Sequence, residues 1–116
     1  MASSILCISI NSRTRRLYHR LAETVDCECR TSSDIAEALT LMTIQRPSHL
    51  FLDSSIPVFE VSVLLDLLEK KPGWKEIQLA IVGFDSELHH IFPHRAWFLP
   101  DSEEDIKDTF GRIGQS

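Results

Sequence analysis

The sequence predicts a three-layer α/β sandwich, in which a five-stranded parallel sheet is covered by helices on both faces. Two observations carry this. Short, near-continuous apolar runs alternate with stretches of helical period, and strands read that way when neither of their faces meets water. The length, 116 residues, suits one domain, 1–116, with a core of its own. The composition, 43% apolar and 25% charged, is that of an ordinary globular chain.

The elements follow in order. Residues 4–10, SILCISI, are a buried strand. Residues 13–25 place Leu17, Leu21 and Val25 on one helical face, with Arg13, Arg15, Arg16 and Arg20 elsewhere. Residues 26–30, DCECR, alternate as a short strand does. Ser32, Ser33 and Asp34 then offer an N-cap, and Asp34 with Glu37 has the spacing of a capping box. The helix that follows puts Ile35, Leu39 and Met42 inward and ends before Pro47. HLFLD, 49–53, is the third strand. Val61, Leu64, Leu65 and Leu68 have core spacing on a helix over 59–71, which Pro72 and Gly73 break. IQLAIVGF, 77–84, is a fourth apolar strand. Residues 85–94 are His-rich and stopped by Pro93, so they make a poor helix at best. AWFL, 96–99, is the fifth strand. Asp101 or Ser102 caps a last helix with Ile106, Phe110 and Ile113 inward, and Gly114 stops it.

Right-handed crossovers between such strands leave few topologies, of which the flavodoxin-like order 2-1-3-4-5 is the choice here. In that arrangement a functional crevice opens at the carboxyl ends of the strands. The positions there are Ser9, Ile10, Asn11, Asp53, Gly83, Phe84, Leu99 and Pro100.

The totals exclude several classes. A net charge of −5 argues against a nucleic-acid partner, which needs concentrated Lys and Arg. No apolar run approaches the ~18 residues of a membrane span. The first residues lack the basic start and long apolar stretch of a secretory signal. Three cysteines without framework spacing fit reduced thiols in a cytoplasm. No Gly-rich phosphate loop follows any strand, which counts against a nucleotide or flavin site, and no cofactor is expected.

Across nearly its whole length the chain resembles the receiver domain of bacterial response regulators. LFLDSSIP carries the resemblance best: Asp53 stands at the end of the third strand with Pro57 four residues on, as the phosphoacceptor and its proline do in receivers. ILCISINS resembles the first strand, IQLAIVGF the fourth, and FLPDSEEDI the fifth strand with its turn into the last helix. The resemblance makes Asp53 the phosphoacceptor equivalent. It also identifies what has been replaced. Receivers hold Mg²⁺ with an acidic pair after the first strand, where this chain has Ser9 and Ile10. They place a Thr or Ser after the fourth strand, where this chain has Gly83, and a Lys before the fifth-strand Pro, where it has Leu99 before Pro100. The switch aromatic would fall near Ala96, or at Trp97 if the register slips by one.

Phosphoryl transfer to a carboxylate is nearly all positioning and charge stabilisation, and Ile10 offers a metal no oxygen. The resemblance therefore implies a degenerate, pseudo-receiver module of two-component signal transduction. It would act by protein–protein interaction and not as an enzyme, with no metal of its own. Its partner would be a histidine kinase, another regulator or output protein, or a second copy of itself. Asp53 is expected to sit hydrated or to accept backbone N–H bonds from the following loop. The alternative is a working phosphoacceptor using Asp53 in a phosphorelay.

Other residue groups have a bland and a sharp reading. Arg13, Arg15, Arg16 and Arg20 read as a solvated helix face or, more sharply, as an anion or nucleic-acid patch; a further idea is that one of them neutralises Asp53. Cys27 and Cys29 share a face of the second strand, with Cys7 as neighbour, and fit buried reduced thiols better than zinc ligands. His90 and His94 have a helical metal spacing that Pro93 spoils, which leaves His89, His90 and His94 as a surface cluster. In receivers the face around the fifth strand and its flanking helices binds partners, so Trp97, Phe98 and Phe110 are the candidate interface residues. Strand neighbours face opposite sides, so at least one of Trp97 and Phe98 is expected in the core.

Overall fold

A computed structural model describes residues 3–84, 90–92 and 96–114. In chain order it contains β1 (Ser4–Ile8), α1 (Ser12–Thr24), β2 (Glu28–Ser32), α2 (Ile35–Ile44), β3 (His49–Asp53), α3 (Val58–Lys70), a 3-10 turn at Trp74–Glu76, β4 (Gln78–Val82), β5 (Trp97–Leu99) and α4 (Glu103–Gly114). The five strands form one sheet in the order β2-β1-β3-β4-β5, and every pairing is parallel. This is the predicted flavodoxin-like sandwich. Of the His-rich stretch, His90 is exposed, while His89 and His94 lie outside the described residues.

Each strand feeds two cores, because successive side chains leave opposite faces. Leu6, Ile8, Leu50, Leu52, Leu79 and Ile81 point to one face and meet Ile35, Ala38 and Met42 of α2 and Val61, Leu64 and Leu68 of α3. Ile5, Cys7, Phe51, Ala80 and Val82 point to the other and meet Tyr18, Leu21 and Ala22 of α1 and Ile106, Phe110 and Ile113 of α4. At the centre of that second face the Phe51 and Phe110 rings lie edge to face, centroids 4.8 Å apart, with Tyr18 at 6.3 and 6.1 Å. Such pairs add about 1 kcal/mol to what burial alone contributes.

Local chemistry sets the helix starts. The Asn11 side chain accepts from the Arg13 and Thr14 amides and caps α1. Asp34 accepts from the Glu37 amide at 2.7 Å, and the Glu37 carboxylate reaches back to the Ser33 amide at 3.2 Å. This is the capping box expected from the spacing, shifted by one residue on its return arm.

Four expectations are corrected. β2 begins at Glu28 and not at Asp26, because residues 25–27 are used to close α1: the Val25 and Cys27 amides donate to the Ala22 carbonyl, the Asp26 amide donates to that of Glu23, and Asp26 takes a left-handed φ of 55°. The buried stripe of α1 is centred on Tyr18 and Ala22 as well as Leu21, leaving Leu17 and Val25 at its margin. Gly114 is the last residue of α4 and lies within the helix. Phe110 is fully buried against Phe51 and Tyr18, so it is a core residue and not an interface residue.

Truncating that centre is expected to be costly. Phe110→Ala removes an aromatic ring that the packed sheet cannot replace. It should lower unfolding free energy by about 3–5 kcal/mol in a urea titration, with the slope unchanged.

Candidate functional site

The carboxyl ends of β1, β3 and β4 deliver Ser9, Asp53 and Gly83 to one crevice. Asp53 ends β3 and is only 9% exposed, since Phe51 and Leu52 before it are buried and α3 starts just beyond Pro57. One carboxylate oxygen, Oδ1, accepts the Ser55 amide at 3.0 Å and the Ser55 hydroxyl at still closer range. Aspartate accepting from the backbone two residues on is a local turn that short polar side chains form readily. Of the two expectations for Asp53, the second is the one found.

Ser55 does more than hold the turn. Its hydroxyl oxygen accepts the Ile10 amide at 3.0 Å and lies 3.4 Å from the Ser9 hydroxyl. The loop after β1 and the loop after β3 are thereby joined through one serine, with the hydrogen-bond chain ending on Asp53. The Ser9 hydroxyl in turn accepts the Asn11 amide at 3.2 Å. Ser9 is fully buried, whereas Ile10 points outward with 54% of its surface exposed. The two positions that would carry an acidic pair therefore contribute a hydroxyl engaged in loop structure and an aliphatic side chain turned to solvent.

Arg15 occupies a place the sequence did not assign. Its Nη1 donates to the Ser9 carbonyl at 2.6 Å and the Ile10 carbonyl at 3.0 Å, so it fastens the end of β1. The idea that an arginine of α1 neutralises Asp53 is not met: no ion pair among the described residues includes Asp53, and Arg15 donates to backbone carbonyls. Arg20 instead pairs with Glu103 of α4 at 3.3 Å, and together with Arg13, Arg16 and Leu17 they line an open groove of about 490 Å³.

Gly83 has φ of 74°, the left-handed region where a Cβ is strained. Its amide donates to the Leu99 carbonyl at 2.9 Å. A Cβ placed on Gly83 would sit 3.2 Å from the Asp101 Cβ and 3.6 Å from the Ser54 hydroxyl. The space a side chain at 83 would enter is thus taken by Asp101. Asp101 is a site residue that sequence reasoning treated as a possible helix cap. Its place in FLPDSEEDI, just past the end of β5, was the available signal. Asp101, itself exposed, thus stands beside Gly83 and Ser54 at the rim of the crevice. Tyr18, behind it, has a hydroxyl buried without a hydrogen-bond partner among the described residues. Burial, with nearby Cys7, Asp53 and Asp101, pushes its phenol pKa well up. Among the described residues no group of three or more His, Cys, Asp or Glu is arranged to hold a metal.

Leu99 ends β5 half-buried and serves two cavities. One, about 310 Å³, is lined by Ile81, Gly83, Phe84, Phe98, Leu99 and Pro100. The other, about 320 Å³, lies between β5 and α4 and is lined by Trp97, Leu99, Thr109 and Arg112. Trp97 and Phe98 are 41% and 39% exposed, so the expectation that one of them is core is also corrected. β5 is a three-residue edge strand, too short to be covered fully on either side. Trp97 rests against the His49 ring at 5.8 Å, and Phe98 against Phe92 at 5.8 Å.

With this geometry in view, the chain was compared with known proteins. Its structural neighbours are CheY-like receiver domains. The chemotaxis response regulator CheY4 of Vibrio cholerae superposes with a TM-score of 0.79 at 16% identity, over 97% of this chain and 99% of that one. A putative response regulator from Chloroflexus aurantiacus gives 0.79 at 13% identity, over 100% of both chains. The beryllofluoride-activated NtrC4 receiver domain, solved as a dimer, gives 0.77 at 12% identity, over 97% and 96%. No family model and no curated protein sequence matches the chain. Identities this low establish a shared fold. No helix among the described residues is long and apolar enough to cross a membrane.

Placing a hydroxyl-bearing side chain at position 83 should harm this chain. Gly83→Thr forces a β-branched residue into a left-handed φ and against Asp101. A loss of about 1–3 kcal/mol is expected in thermal or denaturant unfolding.

Proposed function

We propose that the chain is a receiver-like signalling module of two-component type that works by binding other proteins, without phosphorylation of Asp53 and without catalytic activity of its own. The observation that carries this is the charge balance of the crevice. A phosphoryl group brings several negative charges, and transfer to a carboxylate depends on cations placed around it. Here Asp53 spends Oδ1 on Ser55, and a second carboxylate, Asp101, stands beside Gly83. Arg15 is committed to backbone carbonyls. Ile10 and Leu99 stand where the receiver resemblance would put a metal ligand and a lysine. Each lost electrostatic contact of this kind is worth about 3–4 kcal/mol in the transition state.

The surface around β5 is the binding face in this reading. Trp97 offers an exposed aromatic beside a cavity floored by Thr109 and flanked by Arg112, which suits an aromatic or aliphatic anchor from a partner. The occupant would be a kinase, another regulator, an output protein or a second copy. The dimer described for the NtrC4 receiver domain makes the last a reasonable first trial. The module would work in the cytoplasm, in keeping with its unpaired cysteines.

Amide NMR spectra of the protein alone, with Mg²⁺, and with Mg²⁺ plus beryllofluoride test the reading directly. Spectra that superimpose around Asp53, Gly83 and Trp97 are expected. Shifts there that disappear in Asp53→Asn would mean a working phosphoacceptor, and the binding-only reading would be wrong.

A further inference from the structure

The face of the sheet covered by α1 holds a pair of thiols that the crevice does not use. Cys7 lies on β1 and Cys29 on β2. The strands are in register as Ile5 with Cys29 and Cys7 with Thr31, so the two cysteines stand diagonally across one strand pair and project to the same face. Their sulfurs are 3.9 Å apart. Cys7 is fully buried in the core beneath Tyr18, and Cys29 is partly exposed on the sheet edge. Cys27 lies before β2, its sulfur facing the carbonyls of Ser3 and Glu28 at 4.0 and 3.8 Å.

We propose that Cys29 and Cys7 are a peroxide-responsive pair, Cys29 the attacking thiol and Cys7 the resolving thiol, which close to an intramolecular disulfide. The asymmetry of the pair supports the order of events. Burial holds Cys7 protonated, and the contact with the Cys7 sulfur lowers the Cys29 thiol and favours the thiolate there. Cys29 is also the member of the pair that solvent can reach. Cys27 has a thiol pushed up by burial, which makes it a poor competitor.

The chemistry balances with a hydroperoxide as oxidant. The Cys29 thiolate attacks the peroxide O–O bond; a sulfur–oxygen bond forms, the O–O bond breaks and the alcohol or water leaves, giving a sulfenic acid. The Cys7 sulfur then attacks the Cys29 sulfur; the S–S bond forms, the S–O bond breaks, and the hydroxide departs with the Cys7 proton as water. Two thiols and one peroxide yield one disulfide, one alcohol or water, and one further water. A dithiol reductant reverses it by exchange. The sulfurs must approach to about 2.0 Å. β2 can follow, because it is an edge strand paired only with β1. The bond would tie together the β1–α1–β2 unit, whose first loop, Ser9–Asn11, walls the crevice.

The test uses the whole chain. It is exposed to stoichiometric hydrogen peroxide, alkylated, digested and mapped by mass spectrometry, with a second sample reduced by dithiothreitol before alkylation. With alkylation carried out in denaturant so that buried Cys7 is reached, all three thiols should be alkylated before oxidation and only Cys27 after it, with a linked Cys7–Cys29 peptide that dithiothreitol releases. Cys27→Ser should keep the link, Cys29→Ser should lose it, and Cys7→Ser should leave a Cys29 sulfenic acid that dimedone traps. Three alkylated thiols after peroxide, a link through Cys27, or a crosslink between chains would each overturn the proposal. The map of the unaltered protein decides the matter even if a variant at buried Cys7 fails to fold.

Discussion

Everything in this molecule hangs on the double burial of β3. Leu50, Phe51 and Leu52 are fully buried, with Phe51 facing α1 and α4 and its two neighbours facing α2 and α3. A strand that sheds water on both sides needs a helix layer on each. The neighbouring strands are parallel, and the helices α1, α2 and α3 carry the chain across the faces of the sheet from one strand to the next. The burial of β3 also decides where Asp53 goes. The carboxylate is the residue at which the apolar run stops, so it is carried to the carboxyl end of the sheet but kept 9% exposed by the strand behind it.

A carboxylate so placed needs partners, and the chain supplies them locally. Ser55 satisfies one oxygen twice and then reaches across to the Ile10 amide. The two loops that border the crevice are therefore held by neutral hydrogen bonds and by Arg15 on the carbonyls of Ser9 and Ile10. A phosphoryl group could hold the same loops only if cations faced it. Beside the bare backbone of Gly83 stand Asp101 and the Ser54 hydroxyl.

The two sheet edges differ in character. β5 is short and leaves Trp97 and Phe98 outward beside apolar cavities, which favours contact with another surface. β2 is polar toward solvent, yet carries Cys29 inward to meet Cys7. Both features arise because an edge strand has one neighbour and incomplete cover, so a side chain there can be half-wet and still touch the core.

Much of this was legible in the residues themselves. The apolar runs and helical periods determined five strands, the helices between them and their order. The Asp34 and Glu37 spacing determined a cap, and the end of the third apolar run determined that Asp53 stands at the end of a buried strand. Local sequence can do this because period and capping act over a few residues. Only the tertiary structure decided the rest. It put β2 two residues later, since closing α1 consumed Val25 to Cys27. It took Phe110 from the candidate interface into the core and left both Trp97 and Phe98 outside. It turned Arg15 to carbonyls, brought Asp101 against Gly83, and set two sulfurs 22 residues apart in sequence within 3.9 Å. Contacts between distant residues depend on which faces the packed layers bring together, and no local pattern in the chain records that.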